Sequence, residues 1–150
     1  MTIIYRPDMP SLSTDIIIEY QQQEKEGIVL IKRKYHPAGL ALPGGHAEKG
    51  FSLDDNARKE AKEETNLEII IENVGRPFRV LSHPLRDPRT HMVTVVYLAR
   101  GYGELKAGSD AKDVGLYAYP ELLDLLGKNK FAFDHENIIR DYLKYRGFLG

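Results

Sequence analysis

Glu60, Glu63 and Glu64 are spaced three and four residues apart, which places their side chains on neighbouring positions of one helix surface. Carboxylate oxygens are the ligands that hard divalent cations such as Mg²⁺ prefer. A Pro-Gly-Gly turn containing Gly44 and Gly45 precedes this segment. Glycine lets the backbone approach a ligand closely, so a carbonyl of the turn can join carboxylates around a cation and its N–H groups can meet phosphate oxygens.

The helix that carries these carboxylates is predicted to begin after Ser52, a plausible N-cap, and to run to about Thr65. Its small apolar stripe of Leu53, Ala57 and Ala61 should pack inward. The opposite face is predicted to carry Asp54, Arg58, Lys62 and Thr65. The alternative is a solvated acidic face on a surface helix, and the helix alone favours neither. The preceding glycine turn shifts the balance towards a cation site.

The composition is that of one soluble domain, residues 1–150, with 42% apolar and 29% charged residues. Lys and Arg number 21 against 22 Asp and Glu, a formal charge of −1. This balance disfavours non-specific nucleic-acid binding but leaves room for a small anionic ligand. There is no cysteine, which excludes disulfides, thiolate catalysis and Cys-based metal sites.

No apolar run approaches the length of a signal peptide or a membrane span, so no membrane association is expected and a cytoplasmic location is the default. Strands are expected around 15–20, 28–34, 40–42, 67–81, 91–102 and 114–119, and further helices around 120–126 and 134–145. This order predicts an α/β fold, a mixed sheet sandwiched by helices.

The segment from Gly45 to Leu67 resembles the signature of the Nudix hydrolases, G-x₅-E-x₇-R-E-U-x-E-E-x-G-U, in which U is aliphatic. KEAKEETNL, residues 59–67, stands where R-E-U-x-E-E-x-G-U is expected, and LALPGG precedes it. The resemblance implies a Nudix-like α/β/α sandwich with a mixed β-sheet.

The sequence departs from this signature at three positions. Phe51 replaces the first glutamate, Lys59 the arginine and Asn66 the late glycine. Asparagine tolerates the left-handed conformation that a helix C-terminus needs. Because the family's glutamate and arginine support each other, the first two losses are expected to be linked, with the Phe51 ring packed near the Lys59 stem and the ammonium in water.

The resemblance implies a metal-dependent hydrolase of a nucleoside diphosphate linked to another group. Glu60, Glu64 and the Gly44 carbonyl would hold Mg²⁺ or Mn²⁺, and Glu63 would add a ligand or orient water, so these three glutamates are the predicted catalytic residues. Gly45 is predicted to bind substrate.

The loop SHPLRDPRTH and the strand after it resemble the ADP-ribose pyrophosphatase branch, which implies ADP-ribose as substrate and AMP and ribose 5-phosphate as products. Arg86 and Arg89 in this loop are candidate phosphate or ribose ligands. The alternative is that Asp87 pairs with one arginine and the loop merely caps the sheet.

The general base comes from the helix glutamates or from a later loop, where the candidates are Glu104, Asp110 and Asp113. A non-catalytic module that binds ADP-ribose-type molecules is the alternative function, and a plain structural domain is a third. A sensor normally carries an output domain, which a chain of this length does not hold. A small-molecule ligand is the expected partner, and a homodimer is left open.

Overall fold

The computed structural model describes residues 8–108 and 111–150. Eight strands and three helices lie within these ranges. In chain order they are β1 (Ser11–Gln22), β2 (Lys25–Arg33), β3 (Gly39–Ala41), β4 (Gly44–His46), α1 (Leu53–Thr65), β5 (Glu68–Ile71), β6 (Arg79–Leu81), β7 (Met92–Tyr102), β8 (Ala111–Ala118), α2 (Tyr119–Leu125) and α3 (His135–Tyr145).

The strands form one mixed sheet whose main path is β3-β2-β1-β7-β5. The central pair, β1 and β7, is parallel, with Ser11 opposite Met92 and Glu19 opposite Arg100. The other pairings are antiparallel, and they add β4 to β1, β6 to β7 and β8 to β2. The expected strands are present, except that the segment expected at 67–81 forms two short strands, β5 and β6, with residues 72–78 between them. The three-residue strand β4 was not anticipated because its sequence reads as a turn.

The centre of the sheet is covered on both faces, as the aliphatic run of β1 requires. Ile16 and Ile18 lie in the core that includes Ala57 and Ala61 of α1. Ile17 points the other way, into a second core built with α2 and α3. One helix on one face and two on the other confirm the α/β/α sandwich.

Helix α1 begins and ends where the sequence predicted. The Ser52 side chain accepts a hydrogen bond from the Asp55 N–H at 3.3 Å, and Asn66 closes the helix at φ 67°. Thr65 was wrongly assigned to the outer face. It is fully buried, and its hydroxyl donates to the Ala61 carbonyl at 2.6 Å, because its angular position continues the alanine stripe.

In the two described ranges, every helix is too short or too polar to cross a bilayer.

Candidate active site

The glycine turn lies in the centre of the molecule, against β1. The Ile16 N–H donates to the Pro43 carbonyl at 2.9 Å, and Asp15 is opposite Gly44 in the β1–β4 ladder. A Cβ added at Gly44 would lie 2.2 Å from Asp15 Oδ1 and 2.3 Å from the Thr14 carbonyl oxygen. The turn can therefore approach β1 this closely only with glycine at this position.

Glu60 and Glu64, one helical turn apart on α1, direct their carboxylates at this turn. The Gly44 N–H donates to Glu64 Oε1 at 2.8 Å. A Cβ on Gly45 would lie 2.6 Å from the Glu60 carboxyl carbon, so the absence of a side chain there makes room for the carboxylate. The predicted convergence of these two glutamates on the Gly-Gly turn is present in the structure.

Electrostatics set Glu64 apart from an ordinary surface carboxylate. Burial raises its pKa to about 8, and the negative charges of Glu60 and Asp15 act in the same direction against the Gly44 hydrogen bond. Burial also raises the pKa of Glu60, while the nearby Lys59 ammonium lowers it. Within the described residues, no Lys or Arg lies within ion-pair distance of Glu64.

Glu63 is placed differently from its two neighbours. Its carboxylate lies 2.9 Å from the Lys59 ammonium and its side chain is 54% exposed. The same ammonium lies 3.0 Å from Glu48 and 3.7 Å from Glu60. Consequently no group of three or more acidic or histidine side chains in the described ranges is arranged as a ready metal cluster.

The donor set nevertheless suits a hard divalent cation. Glu60 and Glu64 supply carboxylate oxygens, both partly desolvated and mutually repelling, beside a backbone turn with no side chains to exclude a ligand. They line a cleft of about 440 Å³ together with Glu63, and these three are its only carboxylates among the described residues. The Gly44 carbonyl as a further ligand stays a prediction.

Two arginines line the same cleft as the glutamates. The guanidinium carbons of Arg33 and Arg89 lie 4.8 and 5.1 Å from the ring centroid of Phe133. Burial lowers the pKa of Arg33, and the like charge of Arg89 adds to this. Guanidinium groups are suited to phosphate oxygens and carboxylates to cations, so this lining has the chemistry to bind both.

The two arginines of loop 82–91, Arg86 and Arg89, have different surroundings. Arg86 donates to both oxygens of Asp134 at 2.9 and 2.7 Å, with a side chain only 4% exposed. It therefore anchors the loop to the start of α3, and its contact with substrate stays a prediction. Arg89 pairs with Asp87, as the alternative foresaw, but stays 40% exposed at the cleft.

Two of the later-loop candidates for the general base, Glu104 and Asp113, lie among the described residues. Glu104 is exposed, 3.6 Å from Lys106, and Asp113 is exposed on β8, where its Oδ1 accepts the Val114 N–H. Neither lines the cleft. Asp110 lies outside the described residues. The loop backbone does reach α1, since the Gly108 N–H donates to the Glu64 carbonyl at 3.1 Å.

Three residues that support the site were not anticipated from the sequence. Arg33 ends β2 and looked like one charge among several in IKRK. Asn56 is fully buried, donating to Thr14 Oγ1 at 2.9 Å and accepting from the Glu48 N–H at 3.0 Å. The His135 Nδ1 accepts the Leu42 N–H at 3.0 Å. The one sequence clue was Asn56, a polar residue beside the apolar stripe.

The Phe51 ring does meet Lys59, although not in the expected way. The Lys59 ammonium, rather than its stem alone, lies 6.0 Å from the ring centroid. The ammonium is not simply in water, because it contacts Glu48, Glu60 and Glu63.

Comparison with known proteins matches residues 9–142 to the NUDIX domain family model. A curated protein named ADP-ribose pyrophosphatase, from Methanocaldococcus jannaschii, is 41% identical over 140 residues, covering 91% of this chain and 75% of that protein.

Solved structures are similar as well. A MutT/nudix family protein from Enterococcus faecalis has a TM-score of 0.77 at 31% identity, over 96% of this chain and 64% of that chain. The NUDIX domain of Shewanella oneidensis NrtR, solved with ADP ribose, has a TM-score of 0.76 at 22% identity, over 95% and 94% of the two chains. At that identity the second likeness shows the fold alone.

Proposed function

Because this chain belongs to the NUDIX domain family and is a pyrophosphohydrolase of that family, we propose that it hydrolyses ADP-ribose to AMP and ribose 5-phosphate with the help of Mg²⁺ or Mn²⁺. The observation that carries the proposal is the convergence of Glu60 and Glu64 on the Gly44–Gly45 turn, in a cleft that Arg33 and Arg89 also line.

The acidic and basic side chains of the cleft have different roles in binding the proposed substrate. The pyrophosphate lies between the carboxylate pair and the guanidinium groups of Arg33 and Arg89, whose planar donors suit phosphate oxygens. The backbone at Gly45 approaches it without a side chain in the way. A divalent cation bound by Glu60 and Glu64 supplies neutralisation of the developing charge and a more acidic water.

The helix carboxylates are the proton acceptors that the cleft offers. Glu63 is the most exposed of the three, and its ion pair with Lys59 is a surface contact that solvent weakens. We propose that it leaves this ammonium to ligate the cation or to orient the attacking water. Glu104 and Asp113 take this role only if their loop moves, since neither lines the cleft.

The substrate assignment rests on the Methanocaldococcus relative, whose name is ADP-ribose pyrophosphatase and whose length this chain mostly covers. The Pro-braced loop 82–91 positions Arg89 beside the cleft through the buried Arg86–Asp134 pair. A cytoplasmic location and a homodimer stay predictions from the sequence.

The experiment is a phosphate-release assay, coupled to a phosphatase, over a panel of nucleoside diphosphate derivatives with Mg²⁺, Mn²⁺ or excess chelator. We expect ADP-ribose to give the highest kcat/KM, AMP and ribose 5-phosphate as products, and no turnover with chelator. Turnover favouring another derivative would overturn the substrate. Tight ADP-ribose binding by calorimetry without any turnover would overturn the hydrolytic function itself.

A further inference from the structure

Lys59 is the one cation on α1 that contacts the cleft glutamates in the described structure, and it is shared by three carboxylates. Its ammonium lies 2.9 Å from Glu63 and 3.0 Å from Glu48, but 3.7 Å from Glu60. The Lys59 ammonium at this position affects the acidic face in two opposite ways. It neutralises the acidic face, yet it competes with any divalent ion for Glu60 and Glu63.

Glu48 is held in place for this contact by the backbone around it. Its N–H donates to the buried Asn56 side chain at 3.0 Å, and the neighbouring Ala47 N–H donates to the Leu12 carbonyl at 2.8 Å. The Phe51 N–H donates to the Glu48 carbonyl at 3.2 Å, which closes a turn. The loop is therefore anchored to both β1 and α1, and the Glu48 carboxylate reaches Lys59 from a fixed backbone.

Phe51 shows why a carboxylate is needed from elsewhere. Its ring lies 6.0 Å from the Lys59 ammonium, so position 51 faces the same cation that Glu48 contacts. A phenyl ring attracts an ammonium only weakly and offers no formal charge. Without Glu48, the charges nearest to Lys59 would be those of Glu60 and Glu63 alone.

We propose that Glu48 is a positioning residue that holds the Lys59 ammonium away from Glu60, and so supplies from the loop the carboxylate that position 51 lacks. This inference rests on the proposed function for the identity of the cation site but not for its substrate. A site with Phe51 can therefore still work, because the carboxylate that pairs with Lys59 is provided by Glu48, three residues before position 51.

The test is direct Mn²⁺ binding to the full chain, measured by calorimetry without substrate. Glu48→Gln should weaken Mn²⁺ binding by about three- to tenfold, because the freed ammonium moves closer to Glu60 while it keeps its contact with Glu63. Adding Phe51→Glu to Glu48→Gln should restore binding to within twofold of wild type, because a carboxylate again faces Lys59. Replacing Lys59 by Gln in the Glu48→Gln background should also restore it, since the competing cation is gone.

Glu68→Gln is the matched control, since Glu68 is an exposed glutamate 3.4 Å from Lys62, a lysine of the same helix that does not contact the cleft carboxylates. It should leave Mn²⁺ binding unchanged. Thermal unfolding of each variant shows that the chain is folded.

Unchanged Mn²⁺ binding in Glu48→Gln overturns the inference, as does failure of both second substitutions to restore it. A wild-type chain that binds no Mn²⁺ overturns it too. If Mn²⁺ binding follows the expected pattern while ADP-ribose is not hydrolysed, the substrate assignment fails and the role of Glu48 stands.

Discussion

Two glutamates that are largely shielded from water lie on opposite sides of the central sheet and have opposite surroundings. Glu19, on β1 and facing α3, accepts hydrogen bonds from the Tyr142 hydroxyl at 2.6 Å and from Arg146 at 2.9 Å on each carboxylate oxygen. The carboxylate of Glu64, on α1, accepts one hydrogen bond from the described residues, donated by the Gly44 N–H. Its nearest charges include the carboxylates of Glu60 and Asp15.

The difference separates a structural carboxylate from one prepared for a ligand. The Glu19 carboxylate is paired with the Arg146 cation and with hydrogen-bond donors, so it links β1 to α3 and its negative charge is compensated. Glu64 is desolvated among like charges, an arrangement that costs stability unless a cation joins it. The fold accommodates this cost beside an open cleft, where a cation can enter.

The comparison predicts that the largest effect is the loss of activity when Glu64 is replaced. Glu64→Gln keeps the shape and the Gly44 hydrogen bond but removes the charge that binds a cation. We expect kcat/KM at limiting Mg²⁺ to fall by at least about 100-fold, about 2.7 kcal/mol of transition-state stabilisation. Steady-state kinetics over a Mg²⁺ titration measure this. Near-full turnover at limiting Mg²⁺ would remove Glu64 from the ligand set.

Glu19→Gln is the contrasting variant. It breaks the charge-assisted contacts to Arg146 and weakens the bond from Tyr142, so the free energy of unfolding should fall by about 2 kcal/mol while turnover stays near wild type. Urea unfolding and the same kinetic assay report on the two effects. Equal losses of activity in Glu19→Gln and Glu64→Gln would show that Glu19 is not a purely structural carboxylate.

The next effect in size is the pH dependence of stability. The folded pKa of Glu64 is raised to about 8 from an ordinary value of 4.5, so the folded chain binds this proton more tightly than the unfolded chain does. Its contribution to stability is complete below about pH 4.5 and is lost as the pH rises to about 8. We expect the metal-free chain to lose stability steadily across this window.

Urea unfolding at a series of pH values tests this, with Glu64→Gln as the comparison. The difference between the two proteins should grow with pH and should shrink when Mg²⁺ is added, because a bound cation favours the ionised carboxylate. Parallel pH profiles for the two proteins would show that Glu64 is not strained by its surroundings.

The smallest expected effect concerns the cations. Arg146 is matched by Glu19, whereas Arg33 has no carboxylate within ion-pair distance in the described ranges and faces the cleft. Arg33→Gln should raise the KM for ADP-ribose about tenfold, about 1.4 kcal/mol, with kcat changed little. Lys32→Gln, one residue earlier and outside this cleft, is the control. Equal KM values in the two variants would exclude Arg33 from substrate binding.

Much of the fold followed from local patterns. The alternation and β-branching of β1 and β2, the Ser52 cap and the Ala57–Ala61 stripe each report on a single element and its buried face. Asn66 at the end of α1 was also foreseen, because its left-handed backbone is a local property. Strand β4 was missed, since three residues of a glycine turn carry no strand pattern and become a strand only when β1 pairs with them.

The residues of the candidate site likewise fall into those that local sequence predicts and those that only the tertiary structure brings together. Helical spacing and the glycine turn pointed to Glu60, Glu63 and Glu64, because both features lie within a stretch of about 20 residues, and the resemblance to the Nudix signature implied that Glu60 and Glu64 hold the cation. The roles of Arg33, Glu48 and His135 depend on residues distant in the sequence, and no spacing rule links them to the site. Arg86 and Arg89 looked equivalent in the sequence, and Asp134, 48 residues after Arg86, is what separates them.

The sequence by itself determined which segments form the elements and which carboxylates share a helix surface, because these properties are set by neighbours a few residues apart. Only the tertiary structure decided that Glu64 is desolvated, that Lys59 is shared by three carboxylates and that Phe133 gathers two arginines at the cleft. Burial and electrostatic fields are sums over everything that packs nearby, and they are fixed only when distant parts of the chain come together.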